Sequence, residues 1–268
     1  MNVYYIPGNP RSGTSLFRLM LNSHPKIVAT PECGYIQWNY SQFKDSNFKL
    51  QETKLAFAQA VLESKKMETW GLTLLMLLNE FKMYPGGSYA HFCKLVMTAY
   101  SRNILNKEPT HLADKNNYYT RHLDEIKNAI PDAKYIHIVR DLRDVVCSYQ
   151  RLITNNISGK YAPTNKASLN EIAEEWIENN EEVFSFLIDK QSILIRYEDL
   201  LIRPIDTLEK ICVFLDIEYH ENMLKHYDFN DEPIEMLDWK RETLKPINQS
   251  KAGAFRNTLD MDAQNLLW

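Results

Sequence analysis

The segment Gly8-Asn9-Pro10-Arg11-Ser12-Gly13-Thr14-Ser15 follows directly on the apolar run Val3-Tyr4-Tyr5-Ile6. Its frame is that of a phosphate-binding loop: a strand, Gly, four residues, Gly, then a hydroxyl pair. Loops for nucleoside triphosphates place Lys after the second Gly, where this chain has Thr14. Arg11 is the only cation in the loop. The pattern therefore points to a phosphorylated donor other than a triphosphate. Amides from Asn9 to Thr14, with the positive end of the helix that follows, make an anion nest. Gly13 lets the backbone come close to an oxyanion, and Ser12, Thr14 and Ser15 add hydroxyl donors. Arg11 brings a fixed charge able to stabilise a bridging oxygen during group transfer. The competing reading is an ordinary strand–turn–helix corner.

Three more sites carry chemistry. Arg140 ends an apolar run, and Ser148 lies eight residues on, two turns into the next predicted helix. Together they could hold a second phosphate; a structural salt bridge is the alternative for Arg140. Arg143 and Asp144 read as a local pair or a helix cap. Lys115, in Asp114-Lys115-Asn116, and Glu32, in the loop Pro31-Glu32-Cys33-Gly34, each follow a short strand candidate. A lone loop Glu is ordinarily solvated, but this one shares a sheet edge with Arg11.

These side chains must be positioned by alternating elements. Residues 2–7 read as a buried strand, Thr14–Ser23 as a helix stopped by His24-Pro25, and residues 26–30 as a second strand. From about 47 to 107 the period is helical, with a turn at Tyr84-Pro85-Gly86-Gly87. The Leu- and Met-rich stretch at 69–84 reads as core, or as one wall of an acceptor pocket. Strands are predicted at 111–114, 134–139 and 192–196, and helices at 117–129, 141–151, 167–190 and 199–215. The tail from Glu242 shows little period until Met261. Strands alternating with helices predict an α/β fold, a central parallel sheet with helices on both faces, in one domain spanning 1–268 with the helical stretch as an insertion.

Composition narrows the classes. The chain has 268 residues, 44% of them hydrophobic, which can fill a sizeable core. A net charge of -4 offers no global case for nucleic acid or an anionic membrane. Cys33, Cys93, Cys147 and Cys212 are far apart and show no metal spacing, so buried reduced thiols are expected. No run approaches the ~20 apolar residues of a membrane helix. A first strand at the third residue leaves no room for a leader, so the expectation is a soluble, cytoplasmic protein, and three glycosylation sequons carry little weight.

Three ordered strings resemble the sulfotransferases that use 3′-phosphoadenosine 5′-phosphosulfate (PAPS): Pro10-Arg11-Ser12-Gly13-Thr14-Ser15, then Val139-Arg140-Asp141-Leu142-Arg143-Asp144-Val145-Val146, then Arg196-Tyr197-Glu198-Asp199-Leu200. The first resembles the loop for the donor's 5′-phosphosulfate. The second resembles the 3′-phosphate motif, with Arg140 and Ser148 both present. Arg11, the helix ending in His24-Pro25, Glu32 and Lys115 resemble the tyrosylprotein sulfotransferase branch and related bacterial enzymes. The tail, with Ser250 and Lys251 ahead of Gly253-Ala254-Phe255-Arg256-Asn257, is similar to the C-terminal donor loop, without the Arg-Lys-Gly form of the cytosolic enzymes. The resemblance implies a P-loop-type fold and sulfuryl transfer from PAPS to a hydroxyl or amine. It implies Glu32 as general base, Arg11 and Lys115 stabilising the leaving oxygen, Tyr197 near the adenine, and no metal. The acceptor is left open among carbohydrate, lipid, small alcohol or phenol, and peptide tyrosine, as is the oligomeric state. A P-loop kinase using ATP and a catalytically inactive PAP-binding module are the competing readings.

Overall fold

The fold is built on five short strands, β1 (Asn2–Ile6), β2 (Ile27–Thr30), β3 (His111–Lys115), β4 (Lys134–Val139) and β5 (Ser192–Arg196). They form one parallel sheet in the order β2-β3-β1-β4-β5. The computed structural model describes residues 1–267 except 164, 165, 167 and 233. β2 and β3 are buried throughout, and β1 exposes only Asn2. Short, continuous apolar strands of this kind suit a parallel sheet covered on both faces.

The alternation of side chains along each strand assigns the two faces. Val3, Tyr5, Val28, Leu112 and Tyr135 point to one side. There they meet α2 (Tyr35–Trp38), α3 (Tyr40–Phe43), α4 (Gln51–Glu63), α5 (Leu74–Lys82), α6 (Tyr89–Asn103) and α7 (Leu123–Ala129). Tyr4, Ile6, Ala29, Ile136 and Ile138 point to the other. That side is covered by α1 (Thr14–Asn22), α10 (Tyr197–Ile202) and α11 (Pro204–Leu215). A third apolar cluster joins α8 (Leu142–Thr154) and α9 (Leu169–Leu187) to the tail, through Val146, Ile172 and Phe255. The three-layer α/β arrangement expected from the alternating pattern is present, and all four cysteines are buried and unpaired.

The differences are local and have local causes. The helix expected at 117–129 is a 3-10 turn, Asn117–Arg121, followed by α7, with His122 outside helical geometry between them. The helix expected from 199 is two helices, α10 and α11, parted at Arg203, because Pro204 at the start of α11 forbids helical backbone before it. The helix expected from Ala167 begins outside the described residues; its described part starts at Leu169, where Ser168 accepts from the Glu171 amide. Asp144 does not cap α8. Asp141 does, by accepting from the Arg143 amide, and it also pairs with the Arg143 guanidinium at 2.7 Å. Asp144 instead receives the amides of Gly253 (2.7 Å) and Phe255 (2.9 Å), and so ties the tail to α8.

A second tie is centred on two fully buried side chains, Arg18 and Glu232. Arg18 of α1 donates to Asp231 and Glu232 of the tail, each at 2.8 Å, and to the Ala29 carbonyl at 2.9 Å. Glu232 holds Lys240 with its other oxygen at 2.8 Å, and Tyr100 donates to Asp231 at 2.6 Å. Removing one partner of such a cluster strands the rest without a counter-charge. Arg18→Met is expected to lower the unfolding free energy by about 3–5 kcal/mol. Urea denaturation checks this, and an unmoved midpoint would contradict it.

Candidate active site

Strand register brings the candidate residues together. β1 lies between β3 and β4, so the loop after Ile6 opens at the point where chain connections diverge to either side, the usual ligand crevice of such sheets. Ile6 pairs with Lys115, which sets that lysine beside the start of the loop. Thr30 pairs with Asp114, so Glu32, two residues beyond β2, reaches the same edge. Val139 pairs with Arg196, so the next residues on each strand, Arg140 and Tyr197, stand side by side. Loop and strand ends line one cavity of about 1210 Å³, large enough for a nucleotide-sized donor together with an acceptor group.

The loop is shaped by two left-handed residues, Arg11 (φ 69) and Gly13 (φ 86). A Cβ on Gly13 would come within 2.1 Å of a Tyr197 ring carbon. Glycine is thus required there by both torsion and space. Tyr197 supports the loop from below, and the Arg140 guanidinium stacks on its ring at 4.6 Å. Arg140 also donates to the carbonyls of Arg11 (3.0 Å) and Lys251 (3.2 Å), and its Nε is buried without a partner. Arg11 Nε donates to the Ser148 hydroxyl at 3.0 Å. Neither guanidinium has a carboxylate partner among the described residues. Arg140 is only 5% exposed, and no ion pair among the described residues accounts for its burial. Burial pulls Arg11 down to about 10, and Arg140 and Arg151 add repulsion. Buried positive charge without a counter-ion is costly, and a bound anion would offset it.

The other end of the cavity holds a carboxylate between two ammonium groups. Glu32 Oε2 receives Lys115 Nζ at 2.6 Å, and Oε1 receives Lys66 Nζ. Burial pushes the Glu32 carboxyl up, but Lys115, Lys66 and Lys240 outweigh it and hold it well below the usual range. Burial pulls Lys115 down to about 8, with Glu32 opposing and Lys240 assisting.

Most of the residues singled out in the sequence meet here. Pro10, Arg11, Gly13, Thr14, Ser15, Glu32, Lys115, Arg140, Ser148, Tyr197 and Lys251 all line the cavity. Thr14 donates to Asn117 at 3.1 Å. Ser12 does not line it: the residue is fully buried beneath the loop, and its hydroxyl has no partner. Ser250 is exposed outside, bonded to Asn248 at 2.7 Å. Lys251 contributes its carbonyl to Arg140, while its Nζ stands 3.7 Å from Glu242. Tyr197, expected near an adenine, is occupied with Gly13 and Arg140. The Leu- and Met-rich stretch forms no wall of this cavity: Leu77 and Phe81 are core, and Leu75 and Met83 face solvent.

Sequence reasoning missed Lys66, Asn117, Arg151, Tyr161 and Lys240. Arg151 had a signal, being one turn beyond Ser148 on the same helix. Lys66 and Lys240 had none, since each arrives from a segment without a motif. Among the described residues no three His, Cys, Asp or Glu side chains stand together as a metal site.

A sequence model of the sulfotransferase family matches residues 5–221. The chain belongs to the sulfotransferase family. The protein-tyrosine sulfotransferase of Drosophila melanogaster is 25% identical over 261 residues, covering 92% of this chain and 46% of the fly protein. Protein-tyrosine sulfotransferase A of Caenorhabditis elegans is 23% identical and covers 91% and 58%. The chain thus spans about half the length of these curated relatives. Among solved structures, the sulfotransferase domain of the curacin biosynthetic pathway superposes with a TM-score of 0.65 at 20% identity, over 99% of this chain and 95% of that one. The sulfotransferase domain of the Synechococcus PCC 7002 olefin synthase gives 0.62 at 22%, over 100% and 93%. Both share the fold.

The loop geometry makes a sharp prediction. Gly13→Ala should weaken binding of PAP, the desulfated donor, by at least about tenfold, because its Cβ must displace Tyr197 and with it Arg140. Calorimetric titration measures this; unchanged affinity would show that the loop tolerates the shift.

Proposed function

We propose that this protein transfers a sulfuryl group from PAPS to an acceptor hydroxyl, with the loop and Arg140 holding the donor and Glu32 serving as general base. The observation that carries the reading is the pair of guanidinium groups, Arg11 and Arg140, set in one crevice without carboxylate partners. A donor with two separated anionic groups, a 5′-phosphosulfate and a 3′-phosphate, answers both. Loop amides and Arg11 would take the first group, and Arg140 with Ser148 the second. When bound, PAPS supplies a sulfuryl group already activated for transfer to an oxygen nucleophile. As the acceptor oxygen bonds to sulfur, its proton passes to Glu32, and the electron pair of the broken S–O bond goes to the departing phosphate of PAP. Arg11 and Lys115 stabilise that oxygen; losing one such preorganised donor costs about 2.7–4 kcal/mol in the barrier.

The kinase reading is not favoured, because Thr14 occupies the position of the triphosphate lysine. An inactive binding module is not favoured either, since Glu32 and Lys115 stand in contact at the cavity. Protein-tyrosine sulfotransferases among the relatives support a hydroxyl-bearing acceptor, with peptide tyrosine and small phenols the first to test. A cytoplasmic setting is part of the proposal, one in which the four buried cysteines would be kept as thiols.

Titration with PAP, and in parallel with ATP and magnesium, tests the donor. Micromolar or tighter PAP binding that is lost in Arg140→Ala is the expected result; ATP binding without PAP binding would overturn the proposal. With labelled PAPS and an acceptor panel, Glu32→Ala should lose about 10²–10⁴-fold in kcat at retained PAP affinity. Lys115 in the free protein is charged below about 8. The kcat/KM for PAPS should therefore fall as pH rises through that value, and a profile flat to pH 10 would remove Lys115 from the mechanism.

A further inference from the structure

Lys66 is the one cavity-lining residue contributed by α4 to α6 and their connections. It has a left-handed backbone (φ 73) and precedes the 3-10 turn Met67–Trp70. Its carbonyl receives the amide and the hydroxyl of Thr69, at 2.9 and 2.7 Å. Met67 and Trp70, each 1% exposed, root that turn in the core. The strained, anchored turn aims the ammonium at Glu32 Oε1, while Lys115 holds Oε2 from β3. The same ammonium lies 5.8 Å from the centre of the Tyr161 ring, and the Tyr161 hydroxyl in turn bonds Glu68 of the 3-10 turn. Lys66 therefore sits between the carboxylate and an aromatic face, and its side chain is one-fifth exposed where that of Lys115 is closed off at 1%.

We infer that Lys66 is a positioning residue for the base: it fixes the Glu32 carboxylate from the side opposite Lys115 and keeps it ionised. The inference rests on Glu32 as the base. Lys115 holds Oε2 in the free protein, but the proposed reaction directs it to the departing phosphate oxygen. A second cation is then needed to hold the carboxylate in place. Among the described residues, the charged groups that act on Glu32 come from three elements: Lys115 and Asp114 on β3, Lys66 from the helical segment, and Lys240 from the tail, itself held by Glu232. The Cys33 thiol beside it is held neutral by burial.

The test replaces Lys66 with Met, which keeps the stem and removes the charge, and with Arg, which keeps the charge. Both are made in the full chain. The Glu32 carboxyl is followed by carbon-13 NMR against pH, assigned by its loss in Glu32→Gln. In Lys66→Met its midpoint should rise by about 1 pH unit or more, because an adjacent opposite charge ordinarily lowers a carboxyl by that much. PAP affinity should stay within about twofold, since no donor contact is assigned to Lys66, and Lys66→Arg should restore the parent midpoint. The acid limb of kcat/KM should move with the carboxyl. A midpoint unmoved in Lys66→Met, or a loss of activity with no movement of that limb, would reduce Lys66 to a structural residue and overturn the inference. Full turnover in Glu32→Gln would instead bring down the base assignment, leaving the NMR titration to decide what Lys66 does to the carboxyl.

Discussion

Positive charge held in a crevice that cannot neutralise it is the constraint around which this molecule is arranged. Arg11 and Arg140 approach each other at the carboxyl edge of the sheet, and among the described residues their hydrogen-bond and ring partners are carbonyls, a hydroxyl and an aromatic ring. Such an arrangement persists only if the surrounding scaffold is stiff enough to oppose repulsion. The scaffold here is a parallel sheet, buried at β1, β2 and β3, whose central strand opens into the loop. It is reinforced by Tyr197 beneath Gly13 and by a tail tied down at Arg18 and Asp144.

The tail has a role beyond packing. It brings the Lys251 carbonyl to Arg140 and places Lys240 near Glu32 and Lys115. The two ties lie on either side of the stretch that borders the cavity, so its geometry depends on both. The two ends of the cavity also differ in origin. Loop and strand ends supply the guanidinium groups, whereas Glu32 is held jointly by a strand lysine and by a lysine from the helical segment.

How much of this could be read in the chain follows from the range of each interaction. The loop was legible because its chemistry is local: amides, a left-handed Gly and hydroxyls within eight residues. The strands were legible from short apolar runs, and Arg140 with Ser148 from their spacing over one strand and two helical turns. Ser12 was assigned from the loop frame and Ser250 from the resemblance of the tail, but a hydroxyl's direction depends on loop torsions, and these turn Ser12 inward and Ser250 outward. Asp144 looked like a helix cap because it stands near a helix start, yet amides more than a hundred residues away claim it.

The sequence alone determined the class of fold and the place of an anion-binding loop, because periodicity and loop chemistry are short-range properties carried by neighbouring residues. Only the tertiary structure decided which charges meet. Glu32 gains two lysines from opposite sides, Arg140 gains no carboxylate, and Arg18 closes over two acids, all through contacts between distant segments. Coulombic partners depend on distance in space, and burial multiplies their strength. The protonation of Glu32 and the excess of positive charge around Arg11 and Arg140 were therefore set only when the sheet register and the tail brought those segments together.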